Sequence, residues 1–332
     1  MDHILMSLPM RRLLPGGAPA CAGMVAFAIL AAAWRSTVAA EPPAKAAAEA
    51  SRLAFAADGA TFRFDTGLFH GALRAEGKSL GVGPIAAAGS TAALAGRYGL
   101  LSHYRLLDAE NRYGTAGWDW PSTAKLLPDG AVEVRWPADA AHPFEMQAEY
   151  RWRAAGTLDV LTRVTPQRPL RRFELFLASY FAGFPASFAY VQSCPETGGK
   201  PGMLEAKKAA GTWQTFARDE DAEKTFADGR WQRPPNPVAW KMMPRLAGAL
   251  AVRRDAQSGL TALLIASPQD CFAISMPYGE EGHRSVYLSL FGGDLAAGQP
   301  AVARARLVLA RGLTDQQAIA EYEAYCKSNP SK

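Results

Sequence analysis

The feature that most constrains the fold is a strict alternation of apolar and polar side chains over residues 144–153. Successive side chains of a β-strand point to opposite faces, so the apolar set would be buried and the charged set would face water or a ligand. Residues 154–156 (Ala-Ala-Gly) supply a turn, and residues 158–164 alternate again. The pattern predicts an antiparallel hairpin that buries one face in a core.

Strand patterns continue along most of the chain. Residues 173–181 are largely apolar on both faces, which is typical of a central strand covered on each side and implies at least two layers. Residues 194–233 interrupt the pattern with glycines, prolines and a charged run, and we predict a long loop region there. Alternation or short apolar runs also mark residues 62–65, 132–136, 247–253, 260–266, 271–276, 285–291 and 301–310.

One helix is predicted, near the C-terminal end. Thr314 is a good N-cap and Gln317 completes a capping box, after which apolar residues recur at helical spacing. We expect a helix over 314–327 as part of a single domain of residues 58–332. Residues 41–57 are Ala-rich and are interpreted as a linker or short helix before that domain. The body of the chain is therefore predicted to be all-β and mainly antiparallel.

Residues 1–40 have the pattern of a secretory signal peptide. Arg11 and Arg12 precede an uncharged, Ala-rich run, and small residues up to Ala40 offer a cleavage site. We therefore expect a periplasmic or secreted protein with no stable membrane insertion after cleavage near Ala40. An uncleaved membrane anchor is the alternative, because the apolar run falls only a little short of a bilayer span.

Charge and cysteine usage exclude several classes of partner. The 36 basic and 31 acidic residues give a net charge of only +5 and are scattered along the chain, which does not indicate a nucleic-acid partner. Cys194, Cys271 and Cys326 match no zinc pattern, and Cys194 with Cys271 is the candidate disulfide. No phosphate-binding loop, dinucleotide fingerprint or local histidine pair occurs, so we expect neither a cofactor nor a metal.

The stretch 102–121 concentrates aromatic and basic side chains without a regular apolar period. Aromatic faces beside guanidinium donors suit a ligand with apolar faces and many hydroxyls, as sugars have. An alternative interpretation makes the tryptophans core residues and pairs the arginines with nearby carboxylates. The residues of this stretch that we predict to bind substrate are Tyr104, Arg105, Arg112, Trp118 and Trp120.

Three residues elsewhere are further candidates for substrate binding. His142 precedes a proline at a strand start, and Trp240 follows a proline run where it could form the rim of a cleft. Arg151 shares a strand face with Glu145 and Glu149, so ion pairing is the alternative interpretation for it. On a concave face, Arg151 would instead bind a uronate or sulfate group through bidentate contacts.

The arrangement resembles the galactose mutarotase-like β-supersandwich, a fold of two large, curved antiparallel sheets. The resemblance rests on the paired strands of residues 144–164, the strand at 173–181 and the closing segment 288–309, where a strand, a Gly-containing turn and a long final strand follow one another. Aldose epimerases share this fold, as do domains of polysaccharide lyases and glycoside hydrolases. The chain also looks like a group of exported bacterial proteins of unassigned function. The resemblance implies a two-layer sandwich.

Members of that family that interconvert sugar anomers use a carboxylate base and a histidine acid. Such chemistry needs two groups with separated pKa values that face one substrate. His103 lies in the aromatic stretch, and His283 follows Glu281 on a loop bounded by glycines. These three are the candidate catalytic residues, and we expect the stretch 102–121 and the loop 277–284 to approach each other across a cleft.

Two functions remain open from the sequence. The first is an exported carbohydrate-binding protein that is also an epimerase-like or polysaccharide-processing enzyme, with acid-base chemistry in a sheet cleft. The second is a non-catalytic carbohydrate-binding or structural module. An enzyme needs a carboxylate or tyrosine within hydrogen-bond reach of a histidine in one cleft, whereas a binding module needs only an aromatic platform with polar contacts.

Overall fold

A computed structural model describes residues 52–330 of the protein. The predicted signal peptide and most of the predicted linker lie outside the described residues. The described strands are β1 (Ala56–Asp58), β2 (Thr61–Asp65), β3 (Phe69–Arg74), β4 (Gly81–Ala87), β5 (Ser102–Leu107), β6 (Thr123–Leu126), β7 (Val132–Trp136), β8 (Phe144–Ala154), β9 (Thr157–Pro166), β10 (Glu174–Tyr180), β11 (Ala186–Val191), β12 (Gly202–Glu205), β13 (Trp213–Ala217), β14 (Lys241–Met242), β15 (Leu246–Asp255), β16 (Leu260–Ala266), β17 (Cys271–Pro277), β18 (Ser285–Phe291) and β19 (Ala301–Arg311). The described α-helices are α1 (Glu220–Phe226) and α2 (Asp315–Ser328).

The strands form three sheets. The nine-stranded sheet has the order β12-β11-β15-β16-β19-β9-β8-β7-β6, and the six-stranded sheet has the order β14-β13-β17-β18-β10-β5. A third sheet, β1-β2-β3-β4, consists of consecutive N-terminal strands. Neighbouring strands are antiparallel except for the short pair β13 and β14, which is parallel. Antiparallel neighbours joined by short turns account for most of this topology.

One hydrophobic core joins the sheets. Strand β8 alternates buried and half-buried residues, and its apolar positions enter the same cluster as Leu175 and Leu177 of β10 and Phe62 and Phe64 of β2. The predicted hairpin is present, with Trp152 opposite Leu158 across the β8–β9 turn. The predicted both-face-buried strand is β10, every residue of which is buried. The prediction of a two-layer antiparallel β-sandwich is confirmed.

The C-terminal helix is also confirmed, as α2. The Thr314 hydroxyl oxygen accepts a hydrogen bond from the Gln317 backbone amide, and the Gln317 side-chain oxygen accepts one from the Thr314 backbone amide, as the capping box predicts. The helix packs Tyr322 and Tyr325 against the outer face of the nine-stranded sheet. Within residues 52–330, no helix is both long and apolar enough to cross a bilayer.

Three expectations differ from the structure. Residues 194–233 contain β12, β13 and α1 in addition to irregular chain, because strands and helices this short carry too few residues for a visible period. Phe55, inside the predicted linker, is buried in the core and leads directly into β1. Cys194 and Cys271 are both free thiols, so the candidate disulfide is not formed.

Candidate functional site

The floor of the candidate site is the outer face of the six-stranded sheet. Because side chains alternate along a strand, Leu175 and Leu177 of β10 enter the core while Phe176 and Tyr180 face the other way. The Tyr287 ring lies 5.0 Å from the Phe176 ring and 5.8 Å from the Tyr180 ring, measured between centroids. The Tyr287 hydroxyl donates to the Tyr180 hydroxyl over 3.3 Å. These rings form an aromatic platform for the irregular segments above them.

The segment 226–240 covers part of this platform. The Trp231 ring lies 4.3 Å from the Phe176 ring and stacks at 5.6 Å on Phe226, the last residue of α1. Trp240 packs edge-on against Trp231 at 5.5 Å. Between the platform, this cover and the chain around Trp118 lies a cavity of about 730 Å³. Its size is in the range of small-molecule sites.

A buried ion pair holds the cover in place. Arg230 and Glu174 are both fully buried, and Arg230 Nη1 lies 3.2 Å from Glu174 Oε2. Arg230 also donates to the carbonyl of Arg172 and to both carboxylate oxygens of Asp228. Attraction from the Glu174 and Asp228 carboxylates raises the pKa of Arg230, against the opposing effect of burial. The segment that begins at Arg230 is therefore fixed to β10 by charge-assisted hydrogen bonds.

The opposite wall is a stack of three aromatic rings. Trp118 lies between Tyr104, at 4.5 Å and 7° between ring planes, and Tyr98, at 5.1 Å and 16°. A short 3-10 helix, Gly117–Asp119, carries Trp118. A Cβ atom at Gly117 would lie 3.1 Å from the carbonyl oxygen of His103, so glycine allows this turn to approach β5 closely. The stack gives the cavity an extended aromatic surface.

A β-bulge places Tyr104 and Arg105 on the same side of the sheet. Leu175 pairs with Leu106 and Leu177 with His103, so two residues of β5 lie opposite the single residue Phe176. A bulge of this kind interrupts the alternation of side chains and redirects one of them. Both Tyr104 and Arg105 consequently line the cavity, whereas His103 and Leu106 point inward.

Arg105 is a buried cation in the cavity wall, with 2% of its surface exposed. Its guanidinium carbon lies 4.7 Å above the Trp231 ring. Nη2 donates to the Asn236 carbonyl over 3.0 Å and to the Tyr104 hydroxyl over 3.3 Å. Nε and Nη1 donate to no acceptor among the described residues. Nearby, Lys78 is paired with Asp119 at 3.1 Å.

His283 and Glu281 form a hydrogen-bonded pair at the edge of the cavity. Nδ1 of His283 lies 2.9 Å and 3.0 Å from the two carboxylate oxygens of Glu281. The imidazole packs edge-on against Trp213, which also lines the cavity, at 5.4 Å. A carboxylate on Nδ1 fixes the ring orientation and leaves Nε2 for a substrate. This arrangement is suited to proton transfer.

A second buried arginine holds the loop that carries this pair. Arg253 of β15 donates to the carbonyls of Phe184, Gly279 and Ser285 over 3.0, 2.6 and 3.2 Å. Burial, and to a smaller extent the charge of Arg284, lowers the pKa of Arg253 to about 9. Within residues 52–330, no group of three or more His, Cys, Asp or Glu side chains is placed to hold a metal ion.

The structure brings several predicted site residues together. The cavity is lined by residues from the stretch 102–121 and by His283 from the loop 277–284, so these two segments approach each other as the sequence predicts. Glu281 joins the site through its hydrogen bonds to His283. The predicted residues that line the cavity are Tyr104, Arg105, Trp118, Trp240 and His283.

His103 does not belong to the site, contrary to the sequence-based expectation. It is fully buried, with Nε2 2.9 Å from the Thr162 hydroxyl and its ring 5.0 Å from that of Trp136. The reason is the alternation along β5, in which a cavity-facing Tyr104 requires an inward-facing His103. Burial lowers the pKa of His103 from 6.5 to about 3, so the imidazole is neutral and structural.

Four other predicted residues also lie outside the cavity lining. Trp120 is in the core and packs against His142, with 3.8 Å between ring centroids and the ring planes tilted by 36°, and His142 is bonded to Asp139. Arg112 donates to the carbonyls of Arg233 and Pro235 and so supports the cover. Arg151 pairs with Asp129 and Glu149, each at 2.7 Å, on the nine-stranded sheet. For Trp120 and Arg151 the alternative interpretations from the sequence are the correct ones.

Several lining residues were not identified from the sequence. Tyr180 belongs to the strand predicted to be apolar on both faces and Tyr287 to a further predicted strand, and neither sequence pattern distinguishes a core face from a cavity face. Trp213 and Trp231 lie in the region that we predicted to be a loop. Tyr98 comes just before the aromatic stretch, and extending that stretch by a few residues would have included it.

The sequence matches no protein-family model and no curated protein. Solved structures similar to this chain include the Slr1438 protein from Synechocystis, at 11% identity and TM-score 0.48, over 76% of this chain and 96% of that one. A putative aldose 1-epimerase from Escherichia coli aligns at 12% identity and TM-score 0.42, over 78% of this chain and 99% of that one. An alpha-N-acetylgalactosaminidase from Bifidobacterium bifidum, in a GalNAc complex, aligns at 12% identity and TM-score 0.48, over 83% of this chain and 39% of that one. The similarity concerns the fold alone.

The buried His103 predicts a stability that falls in acid. The unfolded chain takes up a proton near pH 6.5 and the folded protein only near pH 3, so the free energy of unfolding should decrease as pH falls below 6.5. The expected contribution is about 1.4 kcal/mol per pH unit. Denaturant unfolding of His103→Gln between pH 5 and 7.5 should give a flatter pH dependence than wild type. The exposed His70→Gln is the control, and equal slopes for His103→Gln and wild type would contradict the prediction.

Proposed function

We propose that the cavity binds a saccharide. The observation that carries this proposal is the convergence of half-buried aromatic rings and polar groups on one cavity of about 730 Å³. Sugar rings present apolar C–H faces that pack on aromatic rings, and hydroxyls that need hydrogen-bond partners. Polar partners are available from Arg105, Asn236 and His283. The half-buried aromatic residues are Tyr98, Tyr104, Trp213 and Trp240.

A second candidate function is acid-base catalysis on that saccharide. The observation in its favour is the hydrogen bond between His283 Nδ1 and the Glu281 carboxylate at the edge of the cavity. Nε2 of an imidazole held in this way could protonate a ring or leaving-group oxygen, or accept a proton from a hydroxyl. Asp119 is the carboxylate among the lining residues and is the candidate for the complementary base. Epimerase-like or elimination chemistry would use such a pair.

Binding is tested by removing an aromatic surface. Trp240→Ala should weaken saccharide binding by roughly ten-fold or more, because the variant loses the apolar area that a sugar face would cover. Calorimetric titration of the full-length protein with hits from a glycan array measures this. The matched control is Leu68→Ala, which truncates an exposed apolar side chain outside the cavity lining. Equal affinity of the Trp240 variant and wild type for every hit would exclude this cavity as the binding site.

Catalysis is tested at His283. His283→Gln should lower the rate of anomer exchange or of unsaturated-product formation by about 100-fold or more, with saccharide affinity changed by less than about three-fold. Glu281→Gln should lower the rate less, because it weakens the orientation of the imidazole without removing it. A wild-type protein that binds saccharide and shows neither reaction would be a non-catalytic binding module.

We also propose that saccharide binding takes place outside the cytoplasm. This rests on the pattern of residues 1–40, in which two arginines, an apolar run and small residues follow one another. Expression in a bacterial host should deliver the protein to the periplasm or medium, with Glu41 as the first residue on N-terminal sequencing. Recovery of uncleaved protein in the membrane fraction would support an anchor instead.

A further inference from the structure

Arg105 differs from the other fully buried arginines of the fold. Arg230 has two carboxylate partners, Glu174 and Asp228. Arg253 has no carboxylate partner, yet each of its three donor nitrogens reaches a backbone carbonyl. Arg105 has neither arrangement: Nε and Nη1 lack an acceptor, and no carboxylate of the described chain lies within ion-pair distance. A buried cation left this way is costly unless another group compensates it.

The other charged residues around the cavity add to the positive charge of Arg105. Arg97 also lines the cavity, and its partner there is the Tyr98 hydroxyl and not a carboxylate. Lys78 is already balanced by Asp119. The positive charge of Arg105 is felt by Arg112, whose pKa falls to about 10 through burial and through this repulsion. The lining of the cavity therefore carries an excess of positive charge.

The position of Arg105 is also set by an irregularity in the sheet. The bulge in β5 opposite Phe176 directs the Arg105 side chain to the cavity. In a strand without the bulge, regular alternation would point this side chain into the core. Its one backbone acceptor, the carbonyl of Asn236, belongs to an exposed residue of the cover. An anion that displaces the Asn236 carbonyl can therefore accept from Nη2 with one oxygen and from one neighbouring donor, Nε or Nη1, with a second oxygen.

We propose that the saccharide bound in this cavity carries an anionic group, a carboxylate or a sulfate, which pairs with Arg105. The proposal deepens the proposed function, since it names the class of saccharide for the same cavity. A guanidinium presents parallel donors that match two oxygens of either anion. The ligand would thereby supply a negative charge and a hydrogen-bond acceptor that the described residues do not give to Arg105.

The test compares charged and uncharged forms of the same sugar. Trigalacturonate and its methyl ester differ in charge and share ring and linkage; a sulfated galactan oligosaccharide and its desulfated form make the second pair. Calorimetric titration of the full-length wild type should show at least about ten-fold tighter binding of one anionic form than of its neutral partner, with the preference decreasing at high salt. The pair that shows the preference identifies the anion as carboxylate or sulfate.

Variants then assign the preference to Arg105. Arg105→Gln should weaken binding of the preferred anionic saccharide by about 10- to 100-fold, and should weaken binding of the neutral form at least about five-fold less. The affinity of Arg105→Lys for the anionic saccharide should lie between those of Arg105→Gln and wild type, because lysine keeps the positive charge but lacks the two parallel N–H donors of a guanidinium. The control is Arg63→Gln, a highly exposed arginine outside the cavity lining, which should match wild type.

The possible failures are distinguishable. Equal affinity of charged and neutral forms in both pairs would overturn the anionic proposal and leave saccharide binding intact. Equal weakening of both forms by Arg105→Gln would also overturn it, since Arg105 would then act on the shape of the cavity. Binding of neither form of either pair would count against the proposed function as well. If the Gln variant fails to fold, the wild-type charge preference and its salt dependence still decide the matter.

Discussion

The candidate site depends on the buried ion pair between Arg230 and Glu174. Glu174 begins strand β10, and Arg230 begins a 3-10 turn within the cover, so the pair joins the sheet to the segment above it. Trp231 follows Arg230 and packs on Phe176, and Arg105 in turn lies over Trp231. A buried pair of this kind tolerates the loss of neither partner, because the remaining charge would be sealed from water. The cover is therefore held in one position.

A second buried arginine ties an irregular segment to a strand on the other side of the cavity. Arg253 extends from the nine-stranded sheet and satisfies its donors on carbonyls at both ends of the loop that carries Glu281 and His283. Two irregular segments are thus tied to regular strands by buried guanidinium groups. Rigid strands that position functional loops are a common arrangement in β proteins. Here the distance between the cover and the loop is set by the sheets, and the width of the cavity follows from it.

The regular alternation of apolar and polar residues made the sandwich predictable from the sequence. The site could not be predicted in the same way, because it lies where this alternation is interrupted. The long regular strands β8 and β9 and the capped helix α2 each contain enough residues for a period to show, and all three follow the sequence pattern. In β5 the bulge separates His103 from Tyr104 and Arg105. A bulge depends on pairing with β10, a strand just over seventy positions away in the chain, and the local sequence does not determine that register. The sequence therefore located the right stretch and misassigned its histidine.

Arg105 and His283, two polar groups of the cavity, differ in chemical character, so we assign them different roles toward the proposed saccharide. Arg105 is buried and has little freedom, so it suits a fixed contact that sets the position of a charged substituent. His283 is exposed and bonded to Glu281, so it is the group to which we assign the proposed proton transfer. The aromatic stack of Tyr98, Trp118 and Tyr104 lies in the same lining and would offer apolar surface to the rings of the proposed saccharide. A buried cation would fix the position of the charged substituent, and an accessible imidazole would fix where the proton is transferred. Together they would select one face and one direction of the saccharide, which an aromatic surface alone cannot select.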